Sequence, residues 1–330
     1  MGVALAAEDA AQRAGLRELR RVFRPAGKHE RRHAAFGLDL WYAGLAPASM
    51  TTHGEGPRPP PRARANETAE ALLGLEDLVE TAEVGGDLRL NDSPDDTYYF
   101  RQGYLGSINA ETAWATTTGD PSVVVHVVDS GLDTTHPDLA ARLWANEDEV
   151  PGNGVDDDGN GYVDDYHGYN HADDSGTDLL GDGDHGSHVA GIVAAETGNG
   201  AGVAGIAGGD GSAASGARLM VGTVFGATAT DGFAEAIVYG ADMGACISQN
   251  SWGYTTAGVY EQSVLDAIDY FSAFGCRGRA NGGLAVFAAG NDGSESSWYP
   301  AYHSAAVAVA AVDNSGVRPY WSNYGTWVDV

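Results

Sequence analysis

The 330 residues are 43% hydrophobic and 19% charged, a globular composition, and they suffice for one large domain plus a small one. A net charge of −28 excludes nucleic acid as a natural partner, because most of the surface would repel phosphate. No apolar stretch approaches the roughly 20 residues that a membrane helix requires, which excludes a helical membrane span.

The charge is uneven. Residues 1–65 hold 11 Lys/Arg against 6 Asp/Glu, whereas residues 66–330 hold 7 against 40. Lys28 is the only lysine. An acidic, lysine-poor surface suits high salt, where self-repulsion is screened. GC-rich codon usage that favours Arg and Ala yields the same composition, and both readings stand.

The N-terminal MGVALAAED is too short for a signal-peptide core and lacks preceding basic residues. It reads at most as the tail of a clipped signal. Next come predicted strands at Leu16–Phe23 and Leu38–Leu45 and predicted helices at Lys28–Ala35 and Glu67–Leu78. The insert GEGPRPPPRARAN (54–66) contains three consecutive prolines, which favour an extended, solvated segment. The polar NDSPDD at 91–96 reads as a linker, separating a small α+β region (1–90) from a larger domain (97–330). In that domain, strands are predicted at Val123–Val128, Leu219–Phe225, Cys246–Asn250, Leu284–Ala289 and Ala306–Val312. Helices are predicted at His185–Glu196, Gly232–Met243 and Val259–Phe274. Continuous Val/Ala/Ile runs joined by helices predict an α/β fold, a doubly wound, mostly parallel sheet with helices on both faces.

Functional groups in such sheets gather at the carboxyl ends of strands. Asp129 stands at the end of SVVVHVVDSG, where a partly desolvated carboxylate can orient a histidine by accepting its Nδ1–H bond. Alone, it is equally an ordinary turn aspartate. The segment GDHGSHVAGIVAAET sets His185 at a helix entrance, where it can take a proton from a nucleophile and return it to a leaving amine. His188 lies three residues on, but helical zinc pairs stand at i, i+4 with a glutamate, so this spacing argues against zinc. Asn291 closes AAGN, which taken alone is also a common turn.

The loop NGVDDDGNGYVDDYHGYN (153–170) is a separate signal. Asp156, Asp158, Asn160, Gly161 and Asp164 match positions 1, 3, 5, 6 and 9 of a calcium loop, while His167 stands where position 12 would hold glutamate. The expectation is a structural Ca²⁺ on Asp156, Asp158, Asn160 and Asp164. The bland alternative is an acidic loop without metal.

These motifs together resemble the subtilisin-like serine proteases, the subtilases. DSGLDTTHPDL (129–139) is similar to that family's aspartate motif. HGSHVAG (185–191) is similar to its histidine motif, with Ser187 where threonine is commoner. GVAGIA (202–207) resembles the following loop, QNSWG (249–253) the edge of the primary specificity pocket, and AAGN (288–291) the oxyanion motif. YPAYHSAAVAVAAVD and WSNYGTWVDV resemble the run toward the serine helix. The resemblance covers residues 95–330 with the motifs in family order.

It implies a serine endopeptidase in which Asp129 orients His185 and Asn291 donates to the tetrahedral oxyanion. Ser251, Trp252 and Gly253 would bind an extended peptide substrate, with Gly226–Asp231 as the opposite edge; Trp252 is equally a packing residue. The resemblance strengthens the case for calcium and implies a secreted or extracytoplasmic location. Residues 1–90 resemble a divergent propeptide, which would dock on the acidic domain by charge; an unrelated leader is the alternative. Cys246 and Cys276 would pair if their strands are neighbours, and two free buried thiols fit equally well.

The nucleophile is the gap. The family's serine motif lies roughly 60–70 residues beyond the asparagine by resemblance, and 39 residues follow Asn291 here. Ser304, Ser315 and Ser322 lack the motif. The expectation is therefore a peptidase domain that is incomplete at its C-terminus and inactive as it stands. A non-catalytic relative that binds peptides or a protease is the alternative. A metal hydrolase built on Asp129 and His185 lacks a further ligand set of suitable spacing.

Overall fold

The computed structural model describes residues 93–330 apart from 182 and 278–281, together with 2–14, 16–21, 42–45, 69–73, 75, 79 and 82. The chain divides into two compact units, Met1–Leu90 and Asn91–Val330.

In the first unit, helix α1 (Gly2–Arg13) precedes strands β1 (Arg17–Arg21) and β2 (Tyr42–Leu45). The two strands pair antiparallel, Arg17 opposite Leu45 and Arg21 opposite Tyr42. They fall inside the strands read from the sequence. Helix α1 covers the stretch for which no element was predicted. Its alanines are strong helix formers, and Arg13 pairs with Asp9 one turn back at 2.7 Å. Residues 69–73 are helical within the predicted Glu67–Leu78. The predicted helix Lys28–Ala35 and the 54–66 insert lie outside the described residues.

The second unit opens with two short helices, α2 (Gly103–Ser107) and α3 (Ala110–Trp114). Then come β3 (Val124–Asp129), β4 (Gly168–Asn170), α4 (His185–Ala194), β5 (Arg218–Thr223), α5 (Phe233–Asp242), β6 (Ile247–Asn250), α6 (Gln262–Phe274), β7 (Leu284–Ala288) and β8 (Ala306–Val309). The strands form one six-stranded sheet in the order β4-β5-β3-β6-β7-β8, and every pairing is parallel. From β3 the chain fills one side and then the other, so the order reverses around β3 and makes its carboxyl end the natural binding crevice.

Burial follows the strand period of two. Val125 and Val127 of β3 join Leu219 and Val221 beneath Ala190 and Ala194 of α4. Val124 and Met220 face the other way, into a core built with Ile237, Ile268, Phe271 and Phe287 under α5 and α6. Helices thus cover both faces, as the sequence predicts. The sheet's interior also holds His126, fully buried in a slot that two glycines open. A Cβ on Gly222 or Gly240 would stand 2.3 Å from its ring nitrogens.

Candidate active site

Strand β3 stops at Asp129 because the next residues leave the sheet. Gly131 has φ +85°, and a Cβ there would lie 2.1 Å from the Leu179 carbonyl, so only glycine passes. The Asp129 carboxylate is buried beneath this turn. Its Oδ1 accepts the Ser130 N–H at 2.7 Å and faces His185 Nδ1, also at 2.7 Å. Asp129 Oδ2 is buried without a hydrogen-bond partner. A buried carboxylate requires the hydrogen on Nδ1, which leaves Nε2 as the free acceptor. The His185 side chain is 60% exposed against 3% for Asp129, so one nitrogen is held and the other faces solvent.

The entrance of α4 has no side-chain cap of its own. It borrows one: Ser130 Oγ accepts the Gly186 N–H at 3.1 Å. In return Ser187 Oγ accepts the Asp133 N–H at 2.9 Å. Two hydroxyls thus cross-link the turn after β3 to the first turn of α4, on either side of the Asp129–His185 contact. Neither was singled out as a functional group in the sequence, where Ser187 stood out only as a variant of the motif.

Next to this pair, beyond the ends of β6 and β7, lies a cavity of about 280 Å³. Ser251, Trp252, Gly253, Asn291, Asp292 and Tyr299 contribute to its wall, and Asp129 and His185 lie outside that lining. The structure therefore brings the predicted substrate-binding residues and Asn291 together. Asn291 is exposed and makes no hydrogen bond among the described residues. Trp252 lines the cavity and packs on Phe233 and Phe287 with ring centroids at 4.5 and 5.4 Å. Gly226–Asp231 closes on itself as a tight loop, Gly226 N–H donating to Ala229 O and Asp231 N–H to Val224 O.

A parallel sheet with an Asp–His pair at its reversal point and an asparagine-lined cavity beside it agrees with comparison to known proteins. The profile of the subtilase family, Peptidase S8, matches residues 120–330. Thermitase of Thermoactinomyces vulgaris is 32% identical over 239 residues, 72% of each chain. The chain is a subtilase.

Other relatives agree. The thermophilic serine proteinase of Bacillus sp. (strain AK1) is 34% identical over 270 residues, 80% of this chain and 57% of the relative. Halolysin of Haloferax mediterranei is also 34% identical over 270 residues, 81% of this chain and 45% of its own. The chain thus spans about half the length of these two relatives. Among solved structures, a protease from Pseudoalteromonas arctica PAMC 21717 superposes with a TM-score of 0.53 at 32% identity, over 72% of this chain and 71% of that one. The family to which the chain belongs is one of serine proteases.

In the acidic loop most of the predicted ligands are engaged in hydrogen bonds. Asp156 accepts the N–H groups of Gly159, Asn160 and Gly161, and Asp164 accepts those of Asn153 and Gly154. Asn160 Oδ1 accepts the Tyr162 N–H. These are the loop's own turn bonds. Of the three predicted carboxylate ligands only Asp158 joins the acidic group that converges, which is Glu149, Asp158 and Asp165, with ligand oxygens all within 4.8 Å of one another; the Asn160 amide donates to Asp158 Oδ2 and Asp165 Oδ2 of that group. Glu149 is 4% exposed and its Oε2 is buried without a partner. Burial pushes the Asp165 carboxyl above the usual carboxylate range. An orphaned buried oxygen among three carboxylates fits a hard, oxygen-seeking cation. Glu149 and Asp165 went unread because each lies outside the regular spacing of the loop.

On β3 itself burial lowers the His126 imidazole to about 3, and just beyond β4 it lowers His171 to about 4. All four of their ring nitrogens lack hydrogen-bond partners. Both rings pack against Tyr239, whose hydroxyl donates to Asp165 at 2.8 Å. Cys246, just before β6, and Cys276, just after α6, form a disulfide at the end of the sheet opposite Asn250 and the cavity.

Proposed function

We propose that this subtilase domain belongs to a serine endopeptidase in which Asp129 and His185 serve as orienting carboxylate and general base. The observation that carries the reading is the 2.7 Å contact between Asp129 Oδ1 and His185 Nδ1, with the imidazole otherwise exposed. Asp129 fixes the tautomer. His185 Nε2 then takes the proton of a serine hydroxyl as it attacks the scissile carbonyl, and later gives it to the leaving amine. Asn291 donates its side-chain amide to the oxyanion that develops on the carbonyl oxygen. Backbone at Ser251–Gly253 pairs with an extended peptide.

No serine of these 330 residues takes the role of nucleophile in this reading. Ser322 Oγ is buried and accepts the Ala311 N–H, which makes it scaffold. Met1–Val330 is therefore inactive by itself in this reading, and Met1–Leu90 acts as a propeptide. Calcium is the proposed structural ion, held by Glu149, Asp158 and Asp165. When bound, it neutralises three converging carboxylates and ties the 149–165 loop to the Tyr239 side of the core. An extracytoplasmic location is supported by the disulfide. Among the described residues no helix is long and apolar enough to cross a membrane.

A fluorophosphonate probe with peptide mapping tests the assignment. The 330-residue chain is expected to carry no serine adduct and to hydrolyse peptides about 10⁶-fold more slowly than a complete enzyme, the cost known for subtilisin itself when its serine is removed. An adduct on any serine of this chain would overturn the assignment.

A further inference from the structure

We infer that Asn323 is the positioning residue that holds Asn291 in place for its oxyanion contact, an inference that rests on the role proposed for Asn291. Strand β7 ends at Ala288, so residues 289–294 cross the mouth of the cavity with few sheet partners. Buried backbone groups there need acceptors and donors from elsewhere. Asn323, fully buried at 0% exposure, supplies them. Its Oδ1 accepts the Asp292 N–H at 2.9 Å and the Ser294 N–H at 3.1 Å. Its Nδ2 donates to the Ala289 carbonyl at 2.8 Å. Its backbone N–H donates to the Gly290 carbonyl at 2.9 Å.

Neighbours extend the same rail. The Gly293 N–H donates to Trp321 O and the Tyr324 N–H to Ser294 O, at 2.7 and 3.1 Å. Gly290 completes the fit, with φ +104° and a position where a Cβ would stand 2.4 Å from Asn323 Nδ2. Asn323 thus bonds residues 289, 290, 292 and 294 and leaves 291 untied. One buried amide fixes the backbone on both sides of Asn291, and the Asn291 side chain stays exposed at the cavity. A donor held in advance needs no reorganisation when charge develops, which is the condition under which an oxyanion donor contributes most.

The test is NMR on the full 330-residue chain, with acetyl-tetra-alanine bearing a free carboxylate as the probe for the oxyanion position. In the wild type, the Asp292 and Ser294 amide protons are protected and the peptide shifts the Asn291 side-chain amide resonances. In Asn323→Ala, those two amides exchange about tenfold faster or more and the peptide-induced shift is lost, while β7 amides stay protected. An unchanged shift and unchanged protection in Asn323→Ala would overturn the inference. Absence of any peptide-induced shift in the wild type would instead overturn the oxyanion role of Asn291. If Asn323→Ala does not fold, Asn323→Asp decides. It keeps the shape and Oδ1 but ends donation to Ala289, so the Asn291 amide resonances must move while β7 stays protected; unmoved resonances refute the inference.

Discussion

Acidification should unfold this domain through two histidines that cannot accept protons in place. His126 and His171 sit at about 3 and about 4 in the folded chain, against an ordinary value of 6.5. His126 faces His171 and the Tyr239 ring, and Gly222 and Gly240 close over its nitrogens. Folded values below the unfolded ones mean that the unfolded chain binds more protons. Their contribution is therefore complete above pH 6.5 and is lost as pH falls, through about 4 for His171 and about 3 for His126. At pH 5 each histidine withholds about 2 kcal/mol, or about 4 kcal/mol together, a large share of the roughly 5–15 kcal/mol of a typical domain. Asp96 and Asp165, raised by burial, oppose this below their own folded values. The assay is the urea midpoint and m-value at half-unit steps between pH 7.5 and 4.5. Near pH 5 the two histidines should contribute a slope of about 2.7 kcal/mol per pH unit, and His126→Leu should reduce it by about 1.4. The carboxylates are common to both chains, so the difference isolates His126. Identical slopes in wild type and variant would refute the reasoning.

Two further outcomes are expected. Calcium at about 100 times its Kd should stabilise the domain by about 2.7 kcal/mol and raise Tm, EGTA should reverse this, and Glu149→Gln should weaken the response; a Tm indifferent to calcium in calorimetry would remove the ion from the account. Replacing Cys246 and Cys276 by serine opens a closure spanning 30 residues and should cost about 3.6 kcal/mol on the chain-entropy estimate, read as a lower urea midpoint; an unchanged midpoint would count against it.

The sheet was legible because its strands are short runs of Val, Ala and Ile bounded by glycine, and five of its six strands fall within a residue of, or inside, their predicted spans. Strand β4 escaped because three residues, Gly168–Asn170, carry no periodicity. The propensity of an alanine-rich segment explains α1. In the site, Asp129, His185 and Asn291 stand out in sequence because each sits in a local motif with its own turn or helix signal. The groups that hold them do not. Ser130, Ser187 and Asn323 act across 29 to 56 residues of chain, and a hydroxyl or amide at such distance leaves no local trace. The acidic loop makes a related point: Asp156 and Asp164 of the regular spacing bond the loop's own turns, and Asp158 is joined by two carboxylates from outside that spacing, Glu149 and Asp165.

The most direct measurement of the central claim is the proton NMR signal of His185 Nδ1–H. A downfield, slowly exchanging proton is expected that vanishes in Asp129→Asn, where the carboxylate acceptor is gone, while the amide spectrum of the sheet persists. A His185 ring without that proton in the wild type, or one unaffected by Asp129→Asn, would contradict that claim.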